Sequence, residues 1–169
     1  MMPRLRKILA PLLLSLLLLV VSCAQQPPSR FEQAQQESSQ QKSGQAVVKD
    51  ATQGANFNKF FPEGGSGYDR VYTQEKKGFA EAKLKKGGKD VAMLAISDTK
   101  STPDAAAKFQ QSTKKIAGYP ALEIGKTQTA VLVNNRYQVK VLSRDPSFTA
   151  SDREAWLQKF DLSGIAQLK

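Results

Sequence analysis

The chain has 169 residues, a formal net charge of +10, no histidine and one cysteine, Cys23. That composition excludes an intramolecular disulfide, a Cys-His nucleophile and any zinc site built from several thiolates or imidazoles. The positive surplus favours acidic partners, such as nucleic acid, anionic lipid headgroups, an acidic protein complex or another anionic surface, and says nothing about fold.

The first 22 residues have the three parts of a secretory signal. Arg4, Arg6 and Lys7 form a positive start, and an apolar run of 14 residues from Ile8 to Val21 is broken only by Pro11 and Ser15. About 20 apolar residues are needed to span a bilayer, so this run fits a signal peptide better than a membrane span. It ends in Val20-Val21-Ser22-Cys23. This sequence resembles the lipobox of bacterial lipoproteins, with an aliphatic residue at −3, a small residue at −1 and the acceptor cysteine. Val20 stands where leucine is commoner. The resemblance implies cleavage between Ser22 and Cys23, a diacylglyceryl thioether on the Cys23 sulfur and attachment of the chain to a membrane. Two or three acyl chains hold a protein stably where one does not, because each buried methylene contributes about 0.8 kcal/mol.

Residues 23–55 then read as the lipidated cysteine and a polar tether. Gln25, Gln26, Gln33, Gln35, Gln36, Gln40, Gln41 and Gln45 dominate it, with Pro27, Pro28 and several serines. Such a segment buries too little apolar surface to offset the entropy of ordering it. Fully stretched it would reach on the order of 100 Å, and as a random coil about 30 Å.

A single domain is expected over residues 56–169. Phe57, Phe60 and Phe61 lead into the turn-forming Glu63-Gly64-Gly65-Ser66-Gly67, and Tyr68–Thr73 suits a strand. From Phe79 to Lys85 the apolar Ala80, Ala82 and Leu84 alternate with Glu81, Lys83 and Lys85, the pattern of a half-exposed strand. Gly87-Gly88 marks a hairpin, and Val91–Ser97 forms its second strand. Thr102-Pro103-Asp104 has the chemistry of a helix start: a hydroxyl cap, proline in the first turn and a carboxylate at the positive end. Ala105, Phe109, Ser112 and Ile116 share one face of the helix so predicted, which ends at Gly118. Tyr119–Ile124 is a weaker strand. Thr127–Val133 and Arg136–Ser143 flank Asn134-Asn135, a pair suited to the positive φ of a tight hairpin. A second helix starts near Thr149, where Thr149 and Asp152 have capping-box spacing, and Trp156, Leu157 and Phe160 supply its apolar side.

Hairpins with interspersed helices predict an α+β fold: a mainly antiparallel sheet of five to six strands with two helices. Val91–Ile96 and Ala130–Val133 are apolar on both faces, which calls for cover on both sides. Either helices flank the sheet on both faces or a partner completes one of them. The Gly118-Tyr119-Pro120 step, the Val131-Leu132-Val133 and Arg136-Tyr137-Gln138-Val139 hairpin, and Phe160-Asp161-Leu162 resemble small α+β lipoprotein domains of bacteria, cyanobacterial ones among them. That likeness implies a fold and no active site. A looser likeness to the lipid-anchored extrinsic proteins of photosystem II is one of architecture alone.

Gly64-Gly65-Ser66-Gly67 lacks the Gly-Lys-Ser/Thr of a phosphate loop. Ser97-Asp98-Thr99, with Lys100 beside it, could serve a Ser-Lys hydrolase, although turn formation and helix capping suit these residues better. No clustered oxygen ligands suggest a metal, and no cofactor is expected. From position 51 onward 19 basic residues face 12 acidic ones, a net of +7. Lys83 and Lys85 share one face of their strand; Arg136, Lys140 and Arg144 share one face of theirs. These five form a candidate basic docking face, weighed against a solvated sheet face kept soluble by lysine. Nucleic acid is not an expected partner, because the face lacks interleaved aromatics. The sequence therefore suggests a lipid-anchored, non-catalytic accessory or binding protein on the outer side of a bacterial membrane. A carrier for an apolar ligand, with a pocket between sheet and helix, is the alternative.

Overall fold

The computed structural model describes residues 47–169. Ser22, Cys23 and the leader lie outside the described residues.

Seven antiparallel strands form one sheet: β1 Tyr68–Lys76, β2 Phe79–Lys86, β3 Lys89–Asp98, β4 Lys115–Ile116, β5 Tyr119–Ile124, β6 Gln128–Val133 and β7 Tyr137–Ser143. Their order across the sheet is β1-β2-β3-β7-β6-β5-β4. Two meanders therefore meet along the β3–β7 seam, where Leu94 faces Val141 and Ile96 faces Val139. The helices are α1 Pro103–Ala107, α2 Ala150–Leu157 and α3 Leu162–Ala166, with 3-10 turns at Gly54–Phe60, Thr99–Ser101 and Lys108–Gln111. The α+β class and antiparallel sheet are as expected. The strand and helix counts both exceed the five to six and two predicted.

Local chemistry fixes the hairpins. Gly87 and Gly88, and likewise Asn134 and Asn135, hold paired positive φ angles at their turns, the geometry that matches the twist of the flanking strands. The capping box forms as predicted: the Asp152 amide donates to the Thr149 hydroxyl, and the Thr149 amide donates to the Asp152 carboxylate.

One helix is shorter than its spacing suggested. The segment from Thr102 to Gly118 is α1, then a 3-10 turn, then β4. The hydroxyl of Ser112 donates to the carbonyls of Lys114 and Ala121, offering the chain an alternative to helical bonding. Ile116 pairs with Tyr119 at the sheet edge. Gly118 thus belongs to a tight hairpin, with Ala117 at φ 50° and Gly118 at φ 85°. Ala117 carries a side chain where glycine is preferred. Ala117→Gly should stabilise the domain by about 1 kcal/mol, seen as a higher urea midpoint with an unchanged slope.

The main core lies on one face of the sheet. Ala82, Leu94, Ile96, Val131, Val139 and Val141 pack with Trp156, Leu157, Leu162 and Ile165 from α2 and α3, with Phe57 and Phe60 from the first 3-10 turn, and with Phe61 just after it. The three phenylalanines are core residues. On the opposite face, Phe109 from the β3–β4 crossover covers Ala130 and Leu132. Helical segments thus flank both faces, and the crossover packs against β5, β6 and β7 on its side.

The tether boundary also moves. Ala51 and Gly54 are buried, and the Thr52 carbonyl accepts from the Gly78 amide at 2.6 Å. A Cβ on Gly54 would meet the Lys76 carbonyl at 2.5 Å and the Phe79 carbonyl at 2.7 Å, so only glycine lets this segment lie against the β1–β2 hairpin. Residues 47–55 are therefore a strap bound to the domain, and the domain starts before residue 56.

Candidate functional site

The structure brings part of the predicted basic face together. Lys83 on β2 faces Met93 on β3, and Lys140 on β7 faces Ala95 on β3, so both lysines lie on the sheet face opposite the main core. Lys85 joins them there. This face is open over β1 and β2, where Val71 is 45% exposed.

These cations have internal partners. Asp90 sits between Lys83 and Lys85, 2.6 Å from each ammonium, and hydrogen bonds from the two lysines hold its carboxyl below the ordinary range. The Lys140 ammonium lies 5.8 Å from the Phe79 ring centroid. To reach it the side chain crosses β3 over Ala95, which is fully buried. Burial lowers the Lys140 pKa, and the charge of Glu81 opposes that shift.

Arg136 is drawn away from the face, and Arg144 lies just past the end of its strand. Arg136 precedes β7 in the Asn134-Asn135 turn and forms a two-pronged ion pair with Asp98, Nε to Oδ1 at 3.0 Å and Nη2 to Oδ2 at 2.7 Å. Its guanidinium also donates to the Asp50 carbonyl and the Thr52 hydroxyl. Arg144 is exposed beyond the end of β7, and its amide donates to the Val91 carbonyl. The strands themselves thus bring together Lys83, Lys85 and Lys140, and Arg136 is lost from the face because strand alternation stops where the turn begins.

Asp98 is the centre of a polar node. Its side chain is fully buried and accepts from Arg136 and from the amides of Thr52 and Lys100. Burial pushes the carboxyl up, but those hydrogen bonds outweigh it and hold the pKa below the ordinary value. The Thr99 hydroxyl donates to the Arg136 carbonyl at 2.6 Å. Ser97-Asp98-Thr99 therefore ends a strand and caps a turn. The Lys100 ammonium lies 3.7 Å from the Asp50 carboxylate.

A second node was not foreseen from sequence. Arg153 on α2 is buried and donates to the hydroxyls of Thr129 and Ser143 at 2.8 and 2.9 Å. Its guanidinium lies 3.9 Å from Glu123, which Lys114 bridges to Glu154. It ties the helix to β6 and β7. The signal available was an arginine one turn into an otherwise apolar helix face.

Where the strap meets the β1–β2 hairpin there is an open groove of about 220 Å³. Lys76, Lys77, Phe79, Ser97, Ser101 and Thr102 line it, with Val47, Gln74, Gly78 and Asp98. The Lys76 ammonium lies 5.4 Å from the Phe79 ring centroid. Among the described residues no group of three or more acidic or cysteine side chains could hold a metal ion, and no helix is long and apolar enough to cross a membrane.

No protein-family model, curated protein or solved structure matches the chain.

Proposed function

We propose that this protein is a lipid-anchored, non-catalytic accessory or binding protein on the outer side of a bacterial membrane, whose basic domain contacts an acidic partner. One observation carries the electrostatic part: the carboxylates of the domain are largely consumed by internal partners. Arg136 holds Asp98, two lysines hold Asp90, and Lys114 holds Glu123 and Glu154. Asp145, Asp152 and Asp161 accept from nearby amides and hydroxyls of turns and helix starts. Lys76, Lys108, Lys115, Lys126, Arg144 and Lys159 are all exposed and make no salt bridge among the described residues. The domain, with a surplus of +7, thus presents several exposed cations that no carboxylate pairs. Such a surface steers and holds anionic partners, and its hold weakens with salt.

The anchor half of the proposal rests on the Val20-Val21-Ser22-Cys23 sequence. A carrier role draws less support, since Phe57, Tyr137, Leu157 and Ile165 fill the space between sheet and helices with fully buried side chains.

Affinity purification of the full-length chain from native membranes in mild detergent at low salt tests the electrostatic claim. A stoichiometric acidic protein should remain bound and then leave on a salt step. Recovery of the chain alone, or of a partner indifferent to salt, would overturn it.

A further inference from the structure

The strap groove has features that the basic sheet face lacks. Its two lysines, Lys76 and Lys77, are not consumed by carboxylates. Lys76 is exposed and makes no salt bridge, and the Lys77 ammonium donates to the Lys49 carbonyl, which leaves its charge uncompensated. Ser97, Ser101 and Thr102 also line it, and the Ser101 hydroxyl accepts from the Val48 amide at 2.9 Å. Asp98 also borders the groove, but both its oxygens are occupied by Arg136 and by the amides of Thr52 and Lys100. Lysines and hydroxyl-bearing residues lining one small open cleft match the chemistry of a phosphate group.

Position gives the groove its partner. Val47 of the strap lines the groove, and residues 24–46 lie between it and Cys23 in sequence. Lys49 is exposed on this strap, and Val48 beside it is 40% exposed. Lys100 stands at the same end, on the 3-10 turn that follows β3. If Cys23 is lipidated, this end of the domain is the one connected to the bilayer, and lysines near an anionic membrane surface are attracted to it.

We propose that the strap groove docks the domain onto anionic phospholipid of the membrane that holds its anchor, with Lys76 and Lys77 taking a lipid phosphate. The proposal rests on the anchored reading above and goes beyond it by fixing which end of the domain faces the bilayer. The lysines at the far end of β2, around Gly87-Gly88, then point away from the membrane.

The test is lysine acetylation footprinting of the mature, lipid-bearing full chain in phosphatidylcholine vesicles, with and without phosphatidylglycerol. Each lysine at an anionic surface contributes about a five-fold change in association. Phosphatidylglycerol should slow acetylation of Lys76 and Lys77 several-fold, leave Lys86 and Lys89 unchanged, and lose its effect in high salt. In the Lys76→Gln/Lys77→Gln chain the accompanying protection of Lys49 and Lys100 should disappear. In Lys86→Gln/Lys89→Gln it should persist. Equal rates on both vesicle types, equal protection at both ends of β2, or protection reproduced by inorganic phosphate on phosphatidylcholine alone would overturn the proposal. The intact mass judges the anchor separately. If Cys23 carries no lipid, the anchored reading fails, and the same footprint with added vesicles still decides whether the groove takes phospholipid.

Discussion

Replacing Asp98 by alanine should cost the domain about 3–5 kcal/mol, the range for removing one partner of a buried ion pair. The loss has three parts. Arg136, with a side chain only 19% exposed, keeps a charge without its counter-ion. The amides of Thr52 and Lys100 lose their acceptor. The strap then loses a bond that ties it to the sheet, so limited proteolysis should cut between residues 47 and 55 well before the core unfolds. Urea unfolding gives the magnitude and the proteolysis gives the location. A change below about 1 kcal/mol, the size of an exposed pair, would show that the node is not a structural centre.

The same carboxyl gives the stability a pH dependence. Its folded pKa is below the unfolded value, so the stabilisation is complete above the unfolded aspartate pKa, about 3.9. It is lost as pH falls through the folded value. Asp90, Asp145, Asp152 and Asp161 are shifted in the same direction. Unfolding midpoints should therefore fall on acidification below about pH 4, and Asp98→Ala should fall less steeply than the parent chain.

Phe57→Ala should be comparably damaging, at about 3–5 kcal/mol for a large aromatic removed from a closed core. Phe57 is fully buried and meets Tyr137 edge to face, with ring centroids 6.0 Å apart. It belongs to a 3-10 turn pinned between the β1–β2 hairpin and the helices, so the surroundings have little freedom to collapse into the space. Thermal or urea unfolding measures the loss. A cost near that of a surface change, within about 0.5 kcal/mol, would mean that the turn is an accessory layer and not part of the core.

Much of the fold was legible because its signals are local. Gly87-Gly88 and Asn134-Asn135 announce positive φ, Thr149 and Asp152 announce a helix start, and Ala80, Ala82 and Leu84 announce the buried side of β2. The misread portions depend on contacts remote in sequence. Ala105, Phe109, Ser112 and Ile116 have helical spacing, yet Phe109 caps the sheet from a 3-10 turn while Ile116 pairs within a strand. Nothing near Thr52 reveals that its amide will meet Asp98, so the strap looked like tether. The basic face was half legible for the same reason. Alternation placed Lys83, Lys85 and Lys140 on one side, but Asp90 and Asp98, which neutralise neighbouring cations, are contributed by β3.

The 3-10 turn at Gly54–Phe60 is joined to α3 by a bond from the Asp161 amide to the Phe60 carbonyl at 3.0 Å, and Phe60 and Phe61 share one core with Leu162 and Ile165. An early segment of the chain thus finds its cover only in a late one. During synthesis, Phe57, Phe60 and Phe61 leave the ribosome long before α2 and α3 exist to enclose them, so closure of the main core waits until residues 150–166 have emerged. Until then those phenylalanines are available to chaperones.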